Sequence, residues 1–96
     1  MKTNFAGLDL SGRDFSDVIL RNFDFSGANL SGCNFEQADV TGCIFAGANL
    51  RGCNFNRSIL TDADFSGADL SGSIIDISFG ESRDAIFVGA NLRGIK

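Results

Sequence analysis

Large apolar residues recur every fifth position from Phe5 to Ile75: Phe5, Leu10, Phe15, Leu20, Phe25, Leu30, Phe35, Val40 and onward. Two places before most of them stands a small residue, as in Ala28, Cys33, Ala38, Cys43, Ala48, Cys53, Ser58, Ala63, Ala68 and Ser73. The position directly before is mostly Asn or Asp, and two places after it is mostly Gly. A period of five matches neither the 3.6 of a helix nor the 2 of a strand, so the chain reads as a repeat architecture.

A chain that turns inward once in five residues closes a square after four repeats, which makes a coil of 20 residues. The large residue fills the middle of each side, and the small one faces inward near each corner. Residues 20 apart then stack at the strand spacing of ~4.8 Å. This gives columns of like residues. Phe5, Phe25, Phe45 and Phe65 lie on one side, and Leu10, Leu30, Leu50 and Leu70 on the next. Phe15, Phe35, Phe55 and Ile75 follow, then Leu20, Val40 and Leu60. Alternating Phe and Leu columns are the best evidence for four sides. The Gly slot marks each corner, where positive φ is needed. Asp17, Asn22, Gln37, Arg57 and Asp62 fill that slot elsewhere, and those corners are expected to use another turn.

The runs Ala28-Asn29-Leu30, Ala48-Asn49-Leu50, Ala63-Asp64-Phe65 and Ala90-Asn91-Leu92 resemble the pentapeptide-repeat proteins. The resemblance covers about residues 3–75 and resumes at 85–95. It implies an all-β fold, a right-handed quadrilateral parallel β-helix (a solenoid) of about four to five coils of 20 residues, ~20–25 Å long. The whole chain, 1–96, is read as one domain with a break at 76–84. After Ile75 the frame returns two residues out of step. The break is either a projecting loop or a register repair, with Phe79 or Ile77 tucked into the core. The first coil is less regular: Thr3, Leu8, Arg13, Val18 and Phe23 fill its small slots, as lids over an open end, with Arg13 snorkelling outward. No capping helix follows Leu92, so the last coil is expected to be uncovered.

The net charge is −4, which disfavours direct nucleic-acid binding and suits a basic partner. No apolar window spans a membrane and no leader precedes the repeat, so the expected location is cytoplasmic. There is no His, so the common general base is missing and the chain reads as non-enzymatic. Cys33, Cys43 and Cys53 are ten apart, unlike zinc ligands, and read as small inward fillers that stay reduced. The interchange of Asn and Asp before the large residue points to backbone bonding at the corner, and neither metal nor cofactor is implied.

Between Arg57 and Arg83 lie five acids and no base: Asp62, Asp64, Asp69, Asp76 and Glu81. They are the candidate partner-binding residues. Phe87, Leu92 and Ile95, at the C-terminal end, are candidates for self-association into a homodimer that stacks two helices end to end. The first functional expectation is a protein-interaction scaffold whose protein partner is open. The second follows from the resemblance. Quinolone-resistance and toxin-immunity members of that family are acidic rods shaped like duplex DNA that bind DNA gyrase or topoisomerase IV. Gly32-Cys33-Asn34-Phe35 and Gly52-Cys53-Asn54-Phe55 look similar to their repeats. The chain departs from them in length, in its modest charge and in having no C-terminal dimerisation helix. A third reading, a purely structural fragment, stays open.

Overall fold

The computed structural model describes residues 3–76 and 82–96. Its core repeat is a corner. The amide of each small residue donates to the carbonyl of the large residue three places earlier, as in Ala28 N to Phe25 O (3.0 Å) and Cys43 N to Val40 O (3.0 Å). The residue between them, in the Gly slot, holds positive φ: +66° at Gly27 and +70° at Gly42. The corner bends the chain inward, and four corners bring it back above its start.

Successive coils are joined by parallel bridges. Asn29 pairs with Asn49 and Asn49 with Asp69, and every bridge from Asn4–Asp24 to Asn54–Ile74 joins residues 20 apart. The bonds run both ways, with Leu30 N donating to Asn49 O (2.8 Å) and Asn49 N to Ala28 O (2.9 Å). Each bridge is a single residue pair, because the chain turns a corner before a longer strand can form. We number the sides by their inward residues. Side one holds Phe5, Phe25, Phe45, Phe65 and Phe87. Side two holds Leu10, Leu30, Leu50, Leu70 and Leu92. Side three holds Phe15, Phe35, Phe55 and Ile75, and side four holds Leu20, Val40 and Leu60.

The columns stack as the sequence pattern requires. Phe45 lies on Phe25 (5.3 Å between ring centres, 4° between planes) and under Phe65 (4.9 Å, 8°). Phe35 lies on Phe55 at 4.8 Å and 1°. Sides one and three also meet across the axis. Phe45 is edge-on to Phe35 at 5.8 Å and to Phe55 at 6.0 Å. Edge-to-face contact sets the positive ring edge against the negative face, so the interior is a herringbone of rings with no channel between them. Phe25, Phe35, Phe45, Phe55 and Phe65 are all fully buried.

The corners without glycine correct the sequence reading. Asp17, Asn22, Gln37, Arg57 and Asp62 have φ of +61°, +63°, +58°, +61° and +58°, in the range of the glycines. Four of these corners also keep the same hydrogen bond: Ala38 N to Phe35 O (3.0 Å), Ser58 N to Phe55 O (3.1 Å), Ala63 N to Leu60 O (2.9 Å) and Phe23 N to Leu20 O (3.3 Å). No second turn is used there. The bridges above and below fix the corner, and the residue in the slot adopts left-handed φ whatever its side chain.

The frame shift of two residues is resolved by the pairing. Above Ile75 the bridges are Asp64–Ile86 and Asp69–Asn91, both 22 apart. Ser82 accepts the corner amide of Ala85 at 3.0 Å, and Asp62 N donates to Arg83 O at 3.0 Å. Ser82 thus takes the turn position that Leu60 holds one coil below, 22 residues on rather than 20. Ile77, Phe79, Gly80 and Glu81 lie outside the described residues. In the first coil Phe23 packs as a lid, tilted on Phe5 at 5.8 Å. Arg13 is exposed, as are Leu8 and Val18.

Candidate interaction surface

The outward slot before each large residue does one local job. Its carboxylate or amide oxygen accepts the N–H two residues on: Asn29 from Ser31 (3.2 Å), Asp39 from Thr41 (3.1 Å), Asp64 from Ser66 (2.9 Å) and Asp69 from Ser71 (3.0 Å). This ties the side chain to the corner that follows it. Hydrogen bonds from the Ser11 backbone and side chain hold Asp9 below the usual carboxylate range, and those of Ser71 do the same for Asp69.

The acidic run is a belt, since its length from Asp62 to Asp76 wraps most of one coil. Asp62 projects from the corner between sides four and one. Asp64 and Asp69 lie half-buried on sides one and two, and Asp76 is exposed beyond side three. Asp69 also faces Arg51, with Nε 3.8 Å away. No single side collects the four acids. Glu81 lies outside the described residues. At the other candidate surface, Phe87, Leu92 and Ile95 are half-buried and packed on the core, with Phe87 stacked on Phe65 at 5.0 Å. The most exposed apolar side chains are Val88 (76%), next to Phe87 in the same coil, and Ile19 (69%) on side four.

The three thiols are more than fillers. Cys33, Cys43 and Cys53 each donate from Sγ to the carbonyl of Leu10 (3.1 Å), Leu20 (2.8 Å) and Leu30 (3.0 Å), one coil below. Ser73 does the same to Leu50 at 2.6 Å. These carbonyls also take the corner amide, and the shared corner bonds run 3.1–3.3 Å. Burial pushes the Cys43 and Cys53 thiols up to about 12, so neither supplies a thiolate at neutral pH. Among the described residues, no three His, Cys, Asp or Glu gather to hold a metal. No helix there is long and apolar enough to cross a membrane.

Side four differs from the others. Its outward column alternates Ile19, Asp39, Ile59, with Asp39 paired to both by bridges. Asp39 is buried. Its Oδ2 accepts from Arg21 Nε at 2.7 Å, and its Oδ1 accepts from Thr41. Burial raises the Asp39 carboxyl, but the bonds from Thr41 and Arg21 outweigh it and hold the group below its ordinary value. The left-handed residues that carry side chains sit on the two corners bounding this side: Asp17, Gln37 and Arg57 on one, Asn22, Asp62 and Asp84 on the other. The corners between sides one, two and three are glycine throughout. The signal was present in the sequence as non-glycine residues filling the Gly slot on these two corners, interrupted once by Gly42.

The model of pentapeptide repeats matches residues 9–47 and 45–75, with eight copies. A pentapeptide-repeat protein from the Arabidopsis thaliana thylakoid lumen superposes with a TM-score of 0.75 at 34% identity, covering 98% of this chain. The chain spans 61% of that protein's length. A pentapeptide-repeat protein from the cyanobacterium Cyanothece superposes with a TM-score of 0.52 at 20% identity, covering 97% of this chain and 86% of that one, and shares the fold. QnrB1, a plasmid-mediated fluoroquinolone resistance protein, is more distant, at 22% identity and a TM-score of 0.31 over 99% of this chain and 61% of that one. No curated protein sequence matches at a significant level.

Proposed function

Since the chain belongs to the pentapeptide-repeat family, whose members form right-handed β-helices, we propose that it is a non-catalytic scaffold that binds another protein through a rigid outer side. In this reading it is a four-sided helix of four to five coils. The observation that carries the reading is how the outward polar groups are used. The carboxylates and amides are tied to their own corners, so they present fixed shape and charge rather than groups poised for proton transfer. The three thiols, each bonded to a carbonyl, suit a reducing compartment, the cytoplasm in this proposal. Photo-crosslinking from one outward position on each side, such as Ser66, Arg51, Asn56 and Thr41, tests it. One side should capture the same protein repeatedly in cells. Equal, scattered labelling from all four sides would sink the scaffold reading.

The acid belt supports a second reading, a binder of DNA gyrase or topoisomerase IV that takes the place of DNA. The molecule is at most 30 Å long, about nine base pairs at ~3.4 Å each. This reading therefore joins two copies end to end through Phe87, Leu92 and Ile95, merging their belts. A supercoiling assay at low and moderate salt separates the two. Relief of quinolone inhibition that weakens with salt favours the second. No change in supercoiling leaves the scaffold.

A further inference from the structure

We propose that side four is a contact face for a second copy of this chain, turned end for end. The inference deepens the scaffold reading and rests on it. Two independent features single out this side. Its outward column exposes Ile19 (69%) and Ile59 (36%), where other columns carry mostly Asn or Asp. Both bounding corners carry side chains on left-handed backbone at every coil but the one of Gly42, a conformation that glycine would adopt without strain. Projecting polar side chains around an apolar middle are the usual anatomy of a contact surface.

The order of these residues chooses the partner. On one corner Asp17, Gln37 and Arg57 rise in successive coils, so the charge runs from negative through neutral to positive. A two-fold axis across side four, level with Gln37 and Asp39, exchanges the coils below and above. It sets Asp17 against Arg57 twice and Gln37 against Gln37. It sets Ile19 against Ile59 twice, and on the far corner Asn22 against Asp62 twice. Each of these contacts is then between an acid and a base, two apolar groups, or an amide and an acceptor. Asp39 lies near the axis, where each copy is already neutralised by its own Arg21 at 2.7 Å. Among the described residues, neither Asp17 nor Arg57 is in an ion pair within the chain. A face that is self-complementary under one two-fold rotation closes as a dimer.

Sedimentation equilibrium of the whole chain, from tens to hundreds of micromolar, tests this. The expected result is a species of twice 10.2 kDa. Asp17→Arg alone and Arg57→Asp alone should each weaken association by roughly tenfold or more, since like charges then meet twice. The double swap, Asp17→Arg with Arg57→Asp, should restore it. The swap is mild for folding, because each corner receives a residue type that the other already holds at φ of +61°. Matched circular dichroism and melting curves confirm that the variants fold. A strict monomer, single reversals that associate normally, or a double swap that stays monomeric each overturn the proposal. So does an association abolished by Leu92→Asp but indifferent to both side-four reversals, which would place it at the C-terminal end. Failure leaves the scaffold reading standing, because photo-crosslinking to other proteins tests that separately.

Discussion

Sides two and four are built from the same corner and the same bridges, yet they treat the outside differently. Side two is uniform: Leu inward, Asn or Asp outward, glycine at both corners. Side four keeps the inward part, with Leu20, Val40 and Leu60 buried, and changes most of what faces water, Asp39 and Gly42 aside. Its corners hold φ near +60° on Asp, Asn, Gln and Arg. Left-handed backbone costs an ordinary residue roughly 1–2 kcal/mol, less for Asn and Asp. Stacking on both neighbours offsets that cost, so the fold tolerates it. The fold does not require it, since side two shows that glycine serves at every corner. What is surplus to folding on side four is therefore where recognition should be sought.

The largest effects should not distinguish the two sides. Leu50→Ala on side two and Leu60→Ala on side four should each cost about 2–5 kcal/mol, because both are fully buried in their columns. Phe45→Ala, with rings above, below and across, should cost about 3–5 kcal/mol. Urea unfolding measures all three. A Leu60 loss far below that of Leu50 would mean that side four is loosely packed, and its exposed isoleucines would then need no function.

Corner substitutions should have opposite signs on the two sides. A Cβ at Gly52 would meet nothing within 4 Å, so Gly52→Ala meets only the conformational penalty, about 1–2 kcal/mol. Arg57→Gly relieves that same penalty, offset in part by the freedom glycine gains when unfolded, and should stabilise by up to about 1 kcal/mol. Melting temperatures that fall for both would show that the Arg57 side chain makes its own stabilising contacts.

The outward carboxylates should separate the sides by acid titration. Asp39 is bonded by Arg21 and Thr41 and its pKa is depressed. A depressed carboxyl stabilises the fold above its unfolded pKa of about 4 and loses that contribution as pH falls through the folded value. Asp39→Asn should cost about 1 kcal/mol at neutral pH, discounted for the exposure of Arg21, and should flatten the loss of stability below about pH 4. Asp69, whose Arg51 stands 3.8 Å away, should change by less than about 0.5 kcal/mol when replaced by Asn. Equal acid slopes for the two variants would remove this distinction.

Much of this was legible in the residues. The period of five gave the columns, and Phe65 under Phe87 shows that the register resumes two residues late. The Asn/Asp interchange gave the corner bond. The corner geometry was not legible, because residue preference in the Gly slot measures what the isolated turn favours, whereas the bridges to both neighbouring coils decide φ. The edge-to-face meeting of Phe35 and Phe45 was not legible either, since a column pattern fixes what stacks but not the width across the axis. The acid run spreads around the coil for a simple reason: when 20 residues make one circuit, neighbours in sequence part company in space, and a side must be read every twentieth residue.

That rule supplies the smallest expected change in stability and the sharpest separation of fold from recognition. Ile19 is the most exposed residue of its column and fills the slot that elsewhere accepts a backbone N–H two residues on. An isoleucine cannot accept one, so Ile19→Asn restores the local bond of side two. Little apolar burial is lost at 69% exposure, and one recovered hydrogen bond contributes about 0.5–1.5 kcal/mol at most, less at a wet surface. The melting temperature should hold or rise by a degree or two, on the order of a few tenths of a kcal/mol. If side four binds through its isoleucines, association should nevertheless weaken, because Ile59 of the second copy loses its apolar partner. A variant as stable as the parent and equally associated would show that Ile19 is one more scattered surface residue. A variant that loses stability would show that Ile19 covers part of the core beneath Leu20, and the contrast between sides two and four would then be one of packing.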